Sequence, residues 1–283
     1  MRIKFYKYQG AGNDFLIADN RDGSVVLTTE QIAALCDRRY GVGADGLMLL
    51  ESPMEGSGDD FRMTYFNSDG SGGMMCGNGG RCIVAFAADM GIRKFSFHAA
   101  DGPHVAEILS DEGRIKTVCL QMKDVASYEQ YDRLTGPAVP SDGYFLDTGT
   151  RHYVRIVEGL GSYDVVGEGR DIRYNAIELQ PVGANVNFIE PSADDVLGVR
   201  TYEKGVEDET YACGTGIVAS CIAAYKAGIQ PSETDGSHVA YNVRAKRDAL
   251  RVSFRPSGSD DCIAEDVYLT GPAAFVAEVS VEL

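Results

Sequence analysis

Long apolar runs are missing: no stretch approaches the roughly 18 residues that a helix needs to cross a bilayer, which argues against a helical membrane protein. Positive charge is scarce as well. Lys and Arg number 26 against 42 Asp and Glu, a formal charge of −16. Such a surface repels nucleic-acid phosphates and anionic lipid, so neither is an expected partner, and a small molecule is the better candidate. Histidines number only four. The cysteines do not form the close C-x₂-C pairs of a zinc site, so no metal is expected. The N-terminal stretch "MRIKFYKYQGAGNDF" lacks the continuous apolar segment of a secretion signal and alternates as a strand does, so a cytoplasmic protein with reduced thiols is expected. Seven cysteines, an odd number spread over 283 residues, also fit no complete disulfide framework.

What is present is a repeat. "MMCGNGGRC" at 74–82 returns as "YACGTGIVASC" at 211–221, and one offset of 137 residues (76 to 213) superimposes Cys76 on Cys213. The same offset places Gly77 on Gly214, Gly79 on Gly216, Ala87 on Ala224, Gly91 on Gly228 and Ile92 on Ile229. Each copy reads Cys-Gly-x-Gly, then an apolar segment with helical spacing, then a glycine where a helix C-cap glycine belongs. The repeat is too long for a solenoid and implies a duplicated domain.

Around the two helices the pattern is short strands: "IKFYKY", "LMLLE", "FRMTYFN", "ANVNFIE" and "ALRVSF" among them. "TTEQIAALCDRRYG" predicts a further helix, with Thr29 as its N-cap and Gly41 as its stop. "NAIELQPVG" and the polar run "SGSDDCIAEDV" read as loops. The expected fold is α+β, two similar domains, each a mostly antiparallel sheet wrapped around a central helix and related by a pseudo-two-fold. Their expected extents are 1–120 and 121–270, with the strand at 271–283 returning to the first.

A thiol at a helix N-terminus feels the positive end of the dipole and the first-turn N–H groups, which lower its pKa from about 8.5 toward neutrality. Those N–H groups also bind anions, so a substrate carboxylate held there would accept the charge that develops when its α-proton leaves. Two such thiols facing each other across a cleft would remove a proton from one side of a carbon and return one from the other, inverting it. A structural pair of buried cysteines, a redox dithiol and a nucleophilic cysteine remain as rival readings.

The motifs "GAGNDF" (10–15), "CDRRYGVGADG" (36–46), "NSDGSGGMMCGNGGRC" (67–82), "ANVNF" (184–188) and "RTYEKGVEDETYACGTG" (200–216) together resemble the diaminopimelate epimerase family. The resemblance implies that Cys76 and Cys213 are base and acid, that no cofactor is used, and that the substrate is LL-diaminopimelate, converted to the meso isomer for lysine and peptidoglycan precursor synthesis. By the same carry-over Gly77, Asn78, Gly214 and Thr215 bind the reacting carboxylate. Asn13, Asn67 and Asn185 line the pocket, the last two at its distal end, and Glu203 pairs with the distal ammonium. A homodimer is also implied. Three features depart from the family pattern: Thr150 and Arg151 stand for an asparagine and a proline, Lys204 stands for an arginine, and "GVEDETYACG" carries an extra residue before the second cysteine. All three are expected on the distal side, so the alternatives of a racemase for another amino acid, or of a thiol-redox or ligand-binding protein, stay open.

Overall fold

The computed structural model describes residues 2–73, 75–139, 141–259 and 262–283. Met74 of the first Cys-Gly motif and Asp260 and Asp261 of the polar run lie outside them. In chain order the elements are β1 (Arg2–Gly10), β2 (Asn13–Asp19), α1 (Thr29–Cys36), β3 (Gly46–Glu51), β4 (Phe61–Asn67), α2 (Gly77–Asp89), β5 (Ser96–Ala99), β6 (Gly102–Asp111) and β7 (Ile115–Gln121). There follow β8 (Tyr128–Tyr131), β9 (Gly143–Asp147), β10 (Arg151–Ile156), α3 (Val165–Asn175), β11 (Asn185–Pro191), β12 (Val196–Glu203) and β13 (Asp208–Thr210). The chain ends with α4 (Gly214–Lys226), β14 (Glu233–Asp235), β15 (His238–Arg244), β16 (Ala249–Ser259) and β17 (Cys262–Glu282). It divides into two compact units, Met1–Gln121 with Thr270–Leu283, and Met122–Leu269.

In the first unit each strand pairs with the next from β1 to β7, and the end of β17 pairs with both β1 and β7, which closes the ring. The β2–β3 and β4–β5 pairs are parallel and the rest antiparallel. Closure removes the free edges that an open sheet would expose. Helix α2 touches β1, β2, β3, β6 and β7, and Gly77 to Ala87 are all buried. Burying Ile83, Val84 and Phe86 completely contributes about 1.5–3 kcal/mol each. Outside the ring, α1 covers Ile3, Phe5, Leu16, Leu47 and Leu49 with Ile32 and Leu35.

The second unit repeats the succession of pairings. β8–β9 and β9–β10 are antiparallel, β10–β11 parallel, β11–β12 antiparallel, β12–β15 parallel and β15–β16 antiparallel. Helix α4 packs on β9, β10, β11, β12 and β16, and α3 on β11, β12 and β13. The core beneath α3 includes Tyr153, Val165, Ile172, Val186, Phe188 and Tyr202.

Three local expectations are corrected. The cap of α1 is Thr28, not Thr29: its hydroxyl accepts from the Gln31 N–H while the Gln31 side chain accepts from the Thr28 N–H, a reciprocal box that fixes the start one residue earlier. The helix stops at Cys36 rather than running on to Gly41. "SGSDDCIAEDV" is not a loop at its ends: residues up to Ser259 belong to β16 and those from Cys262 to β17, where Arg255 pairs with Glu265 and Asp266. Polar residues read as loop there because this ladder is solvated. "NAIELQPVG" contains a single 3₁₀ turn at Ile177–Leu179, and α3 before it was not expected at all.

Candidate active site

Cys76 and Cys213 hold the same local position. Each is the N-cap of a 13-residue helix, in extended backbone conformation, and neither thiol caps a backbone N–H of the first turn. Serine or aspartate at this place would occupy one of the N–H groups that have no partner inside a helix; a thiol does not. The likeness extends to the far ends. Ile92 N–H donates to Ala87 O and Gly91 N–H to Ala88 O, just as Ile229 donates to Ala224 O and Gly228 to Tyr225 O, all at 3.0 Å. These are the paired bonds of a Schellman turn, and Gly91 (φ 88°) and Gly228 (φ 80°) supply its left-handed residue.

Four of the other five cysteines differ in kind. Burial raises the thiol pKa of Cys36 to about 11, and it pushes Cys82, Cys119 and Cys221 up as well. Half-buried thiols at two helix N-termini are the reactive candidates.

In the first unit the Cys-Gly turn is braced by a chain of side-chain amides. Asn78, fully buried, donates from Nδ2 to Asn13 Oδ1 at 2.5 Å, and Asn13 Nδ2 donates to Asp45 Oδ2 at 3.1 Å. Asp45 is held in turn by Arg38, which also forks onto Asp14. At the other end the guanidinium of Arg81, at 0% exposure, donates to Asn78 Oδ1 at 2.8 Å and to Gly77 O at 3.3 Å. A buried cation bonded to the first turn adds to the positive potential of the helix N-terminus, where an anionic ligand would sit. "GAGNDF" and "CDRRYGVGADG" thus converge on "CGNGGR". Gly10 is required at that approach, since a Cβ there would lie 2.9 Å from Asn78 O. Asn67 is not part of this chain; it bonds Ser71 at 3.0 Å within its own turn.

In the second unit the thiol is backed by hydroxyls and an imidazole. Cys213 Sγ lies 3.5 Å from Thr215 Oγ1, which lies 3.0 Å from Thr150 Oγ1 and 2.9 Å from His152 Nε2. Burial drives the His152 pKa down to about 3, so the ring is neutral. Thr150 bonds Thr215, two residues on from the second thiol. Its hydroxyl bonds Thr215 and His152 because β10 starts immediately after it and runs along α4. Arg151 lays its guanidinium over the Phe145 ring at 4.9 Å and donates to Leu179 O. Asn185 is buried, donating to Arg151 O and accepting from the Lys204 N–H at 2.9 Å. This places Asn185 and Lys204 together, with half-buried Glu203 adjacent and the Lys204 side chain exposed.

Sequence reasoning missed His152 and Asn187 as the groups behind Thr215 and Cys213. The signal was there in "ANVNF", where asparagines two apart in a strand share one face.

The family model for diaminopimelate epimerase matches residues 5–126. The diaminopimelate epimerase of Flavobacterium psychrophilum is 42% identical over 282 residues, 99% of this chain and 100% of the relative. That of Chlorobaculum tepidum is 42% identical over 278 residues, covering 97% and 99%. Among solved structures, a phenazine biosynthesis protein of the PhzF family from Bacillus anthracis superimposes with a TM-score of 0.71 at 16% identity, covering all of both chains. A probable proline racemase from Agrobacterium radiobacter gives 0.68 at 16% identity over 99% and 93%. At such low identity these two establish the fold alone.

Proposed function

The chain belongs to the diaminopimelate epimerase family, and we propose that it interconverts LL-2,6-diaminopimelate and meso-diaminopimelate. It is an isomerase acting on an amino-acid α-carbon. The observation that carries the mechanism is the duplicated helix start: two half-buried thiols, each the N-cap of a helix whose first turn is built to receive an anion.

In this reading the reacting carboxylate is held by N–H groups at Gly77, Asn78, Gly214 and Thr215, with Asn13 completing the first side. Negative charge that builds on the carboxylate as the α-proton leaves is met by helix dipoles and by Arg81. One thiolate takes the proton, and the opposite thiol delivers another to the other face, so the centre inverts. Cys76 faces the LL substrate, as the family resemblance implies. The distal amino-acid end is met by Asn67, Asn185, Glu203 and Lys204, the last three of which the β11–β12 hairpin brings together. The two units are read as two copies of one domain, supported by the matching order of strand pairings and by the constant offset of the helices. A homodimer, implied by the family resemblance, and a cytoplasmic setting, where small amino acids are made, complete the reading.

Proton NMR of the reduced protein with LL-diaminopimelate in D₂O tests it: meso product appears with deuterium at one α-carbon per turnover. Cys76→Ala and Cys213→Ala each abolish inversion. Full turnover by either variant refutes the two-thiol route, and label without meso product refutes the epimerase assignment.

A further inference from the structure

Asn187 in β11 is fully buried, and its amide orientation is fixed by an atom that only accepts. Nδ2 lies 3.2 Å from the Tyr153 carbonyl oxygen, so the amide nitrogen points there and Oδ1 accepts from the Thr201 hydroxyl at 2.9 Å. The same Nδ2 lies 3.1 Å from His152 Nδ1. An amide nitrogen has no lone pair to offer, so Nδ1 accepts and the proton of the neutral ring sits on Nε2. Nε2–H faces the hydroxyls of Thr150 and Thr215, both at 2.9 Å. Since Nε2 accepts neither hydroxyl proton, the Thr215 hydroxyl has two acceptors left, Thr150 Oγ1 at 3.0 Å and Cys213 Sγ at 3.5 Å, and with Thr150 donating to Thr215 its proton goes to the thiol.

We propose that Asn187 is a positioning residue for the second thiol: it locks His152 as the Nε2–H tautomer, which aims the Thr215 hydroxyl at Cys213 Sγ and stabilises the thiolate there. The relay is one-sided. Val154 faces Asn187 across β10–β11 as Ile17 faces Met48 across β2–β3, and the 137-residue offset that relates Ile17 to Val154 also relates Phe15 to His152. The first unit therefore has Phe15 and Met48 where the second has His152 and Asn187, and so has no imidazole–amide pair at those positions. The assignment rests on the reading of Cys213 as a proton-transfer thiol.

Asn187→Asp is the decisive variant, because a carboxylate cannot donate and obliges His152 to carry its proton on Nδ1. ¹⁵N NMR of the full-length, reduced, histidine-labelled protein shows Nε2–H in the wild type and Nδ1–H in Asn187→Asp. Alkylation of Cys213 by iodoacetamide at pH 7, measured in a Cys76→Ala background, slows roughly tenfold in the variant. Alkylation of Cys76, measured in Cys213→Ala, stays unchanged. Turnover of LL-diaminopimelate falls roughly 10- to 100-fold in kcat with KM within about twofold. Thr215→Val removes the hydroxyl without touching Asn187; it gives the same loss of Cys213 alkylation with the Nε2–H tautomer kept, and decides the matter should Asn187→Asp unfold. A wild-type ring protonated on Nδ1, or undiminished Cys213 alkylation in both variants, overturns the relay. Tautomer and alkylation responses as described, with no turnover by the wild type, uphold the relay and overturn the functional reading instead.

Discussion

Gly216 approaches Asn187 so closely that a Cβ on the glycine would lie 2.4 Å from Asn187 Oδ1, and within 3.2 Å of His152 Cε1 and 3.3 Å of Cys213 Cβ. The last glycine of the second Cys-Gly-x-Gly is therefore a steric requirement of this helix start, set by the polar strand residues that pack on it. Its counterpart Gly79 is less confined, with Met48 Sδ at 3.4 Å and Phe15 Cζ at 3.6 Å from the same imagined atom.

Alanine substitution should separate the two glycines. Gly79→Ala trades ordinary van der Waals contact for the better helix propensity of alanine, so thermal unfolding leaves stability unchanged or raised by up to about 1 kcal/mol. Gly216→Ala overpacks a buried polar cluster and lowers stability by about 1–3 kcal/mol, with kcat falling more than tenfold. Equal effects of the two substitutions would show that the Asn187 contact does not constrain the helix start.

The contrast marks how far the sequence could be read. The helix starts were legible because a thiol N-cap followed by small residues is a local signature, and the offset of 137 doubled it. Strands were legible from alternation. Helix α3 was not, because Gly167 and Gly169 lower its propensity. Yet Gly169 is demanded by packing, since a Cβ there would lie 2.5 Å from Tyr202 Cβ, and Asp164 caps the helix by accepting from the Gly167 N–H. The relay behind Cys213 was hidden for a different reason. Thr201, Asn187 and His152 lie on three strands, β12, β11 and β10, and only sheet pairing brings them together.

Burial of His152 also gives stability a pH dependence whose sign is fixed. Its pKa falls from 6.5 to about 3 in the folded protein. Above about 6.5 both states hold the ring neutral. As pH falls below that, the unfolded chain binds a proton that the folded one refuses, so stability drops by about 1.4 kcal/mol per pH unit until the folded pKa is reached. Urea unfolding of His152→Gln should therefore lack about 2 kcal/mol of the loss that the wild type shows between about pH 6.5 and pH 5. Parallel pH profiles for the two proteins would mean that the imidazole is protonated in the folded state.

Lys204 offers a test of the distal end that leaves the thiols untouched. Its backbone N–H is anchored on Asn185 Oδ1 at 2.9 Å, so the side chain starts from a fixed point beside a buried asparagine, and its ammonium reaches outward from an exposed position. A lysine meets a carboxylate as a point charge, whereas an arginine presents a planar fork that grips both oxygens. Lys204→Arg should accordingly lower KM for diaminopimelate roughly three- to tenfold while kcat stays level, because the distal group binds ground state and transition state alike. A parallel assay with an amino acid that lacks the distal carboxylate should show no gain. If KM for diaminopimelate does not move, residue 204 does not hold that carboxylate, and the distal charge is recognised by another part of the second unit.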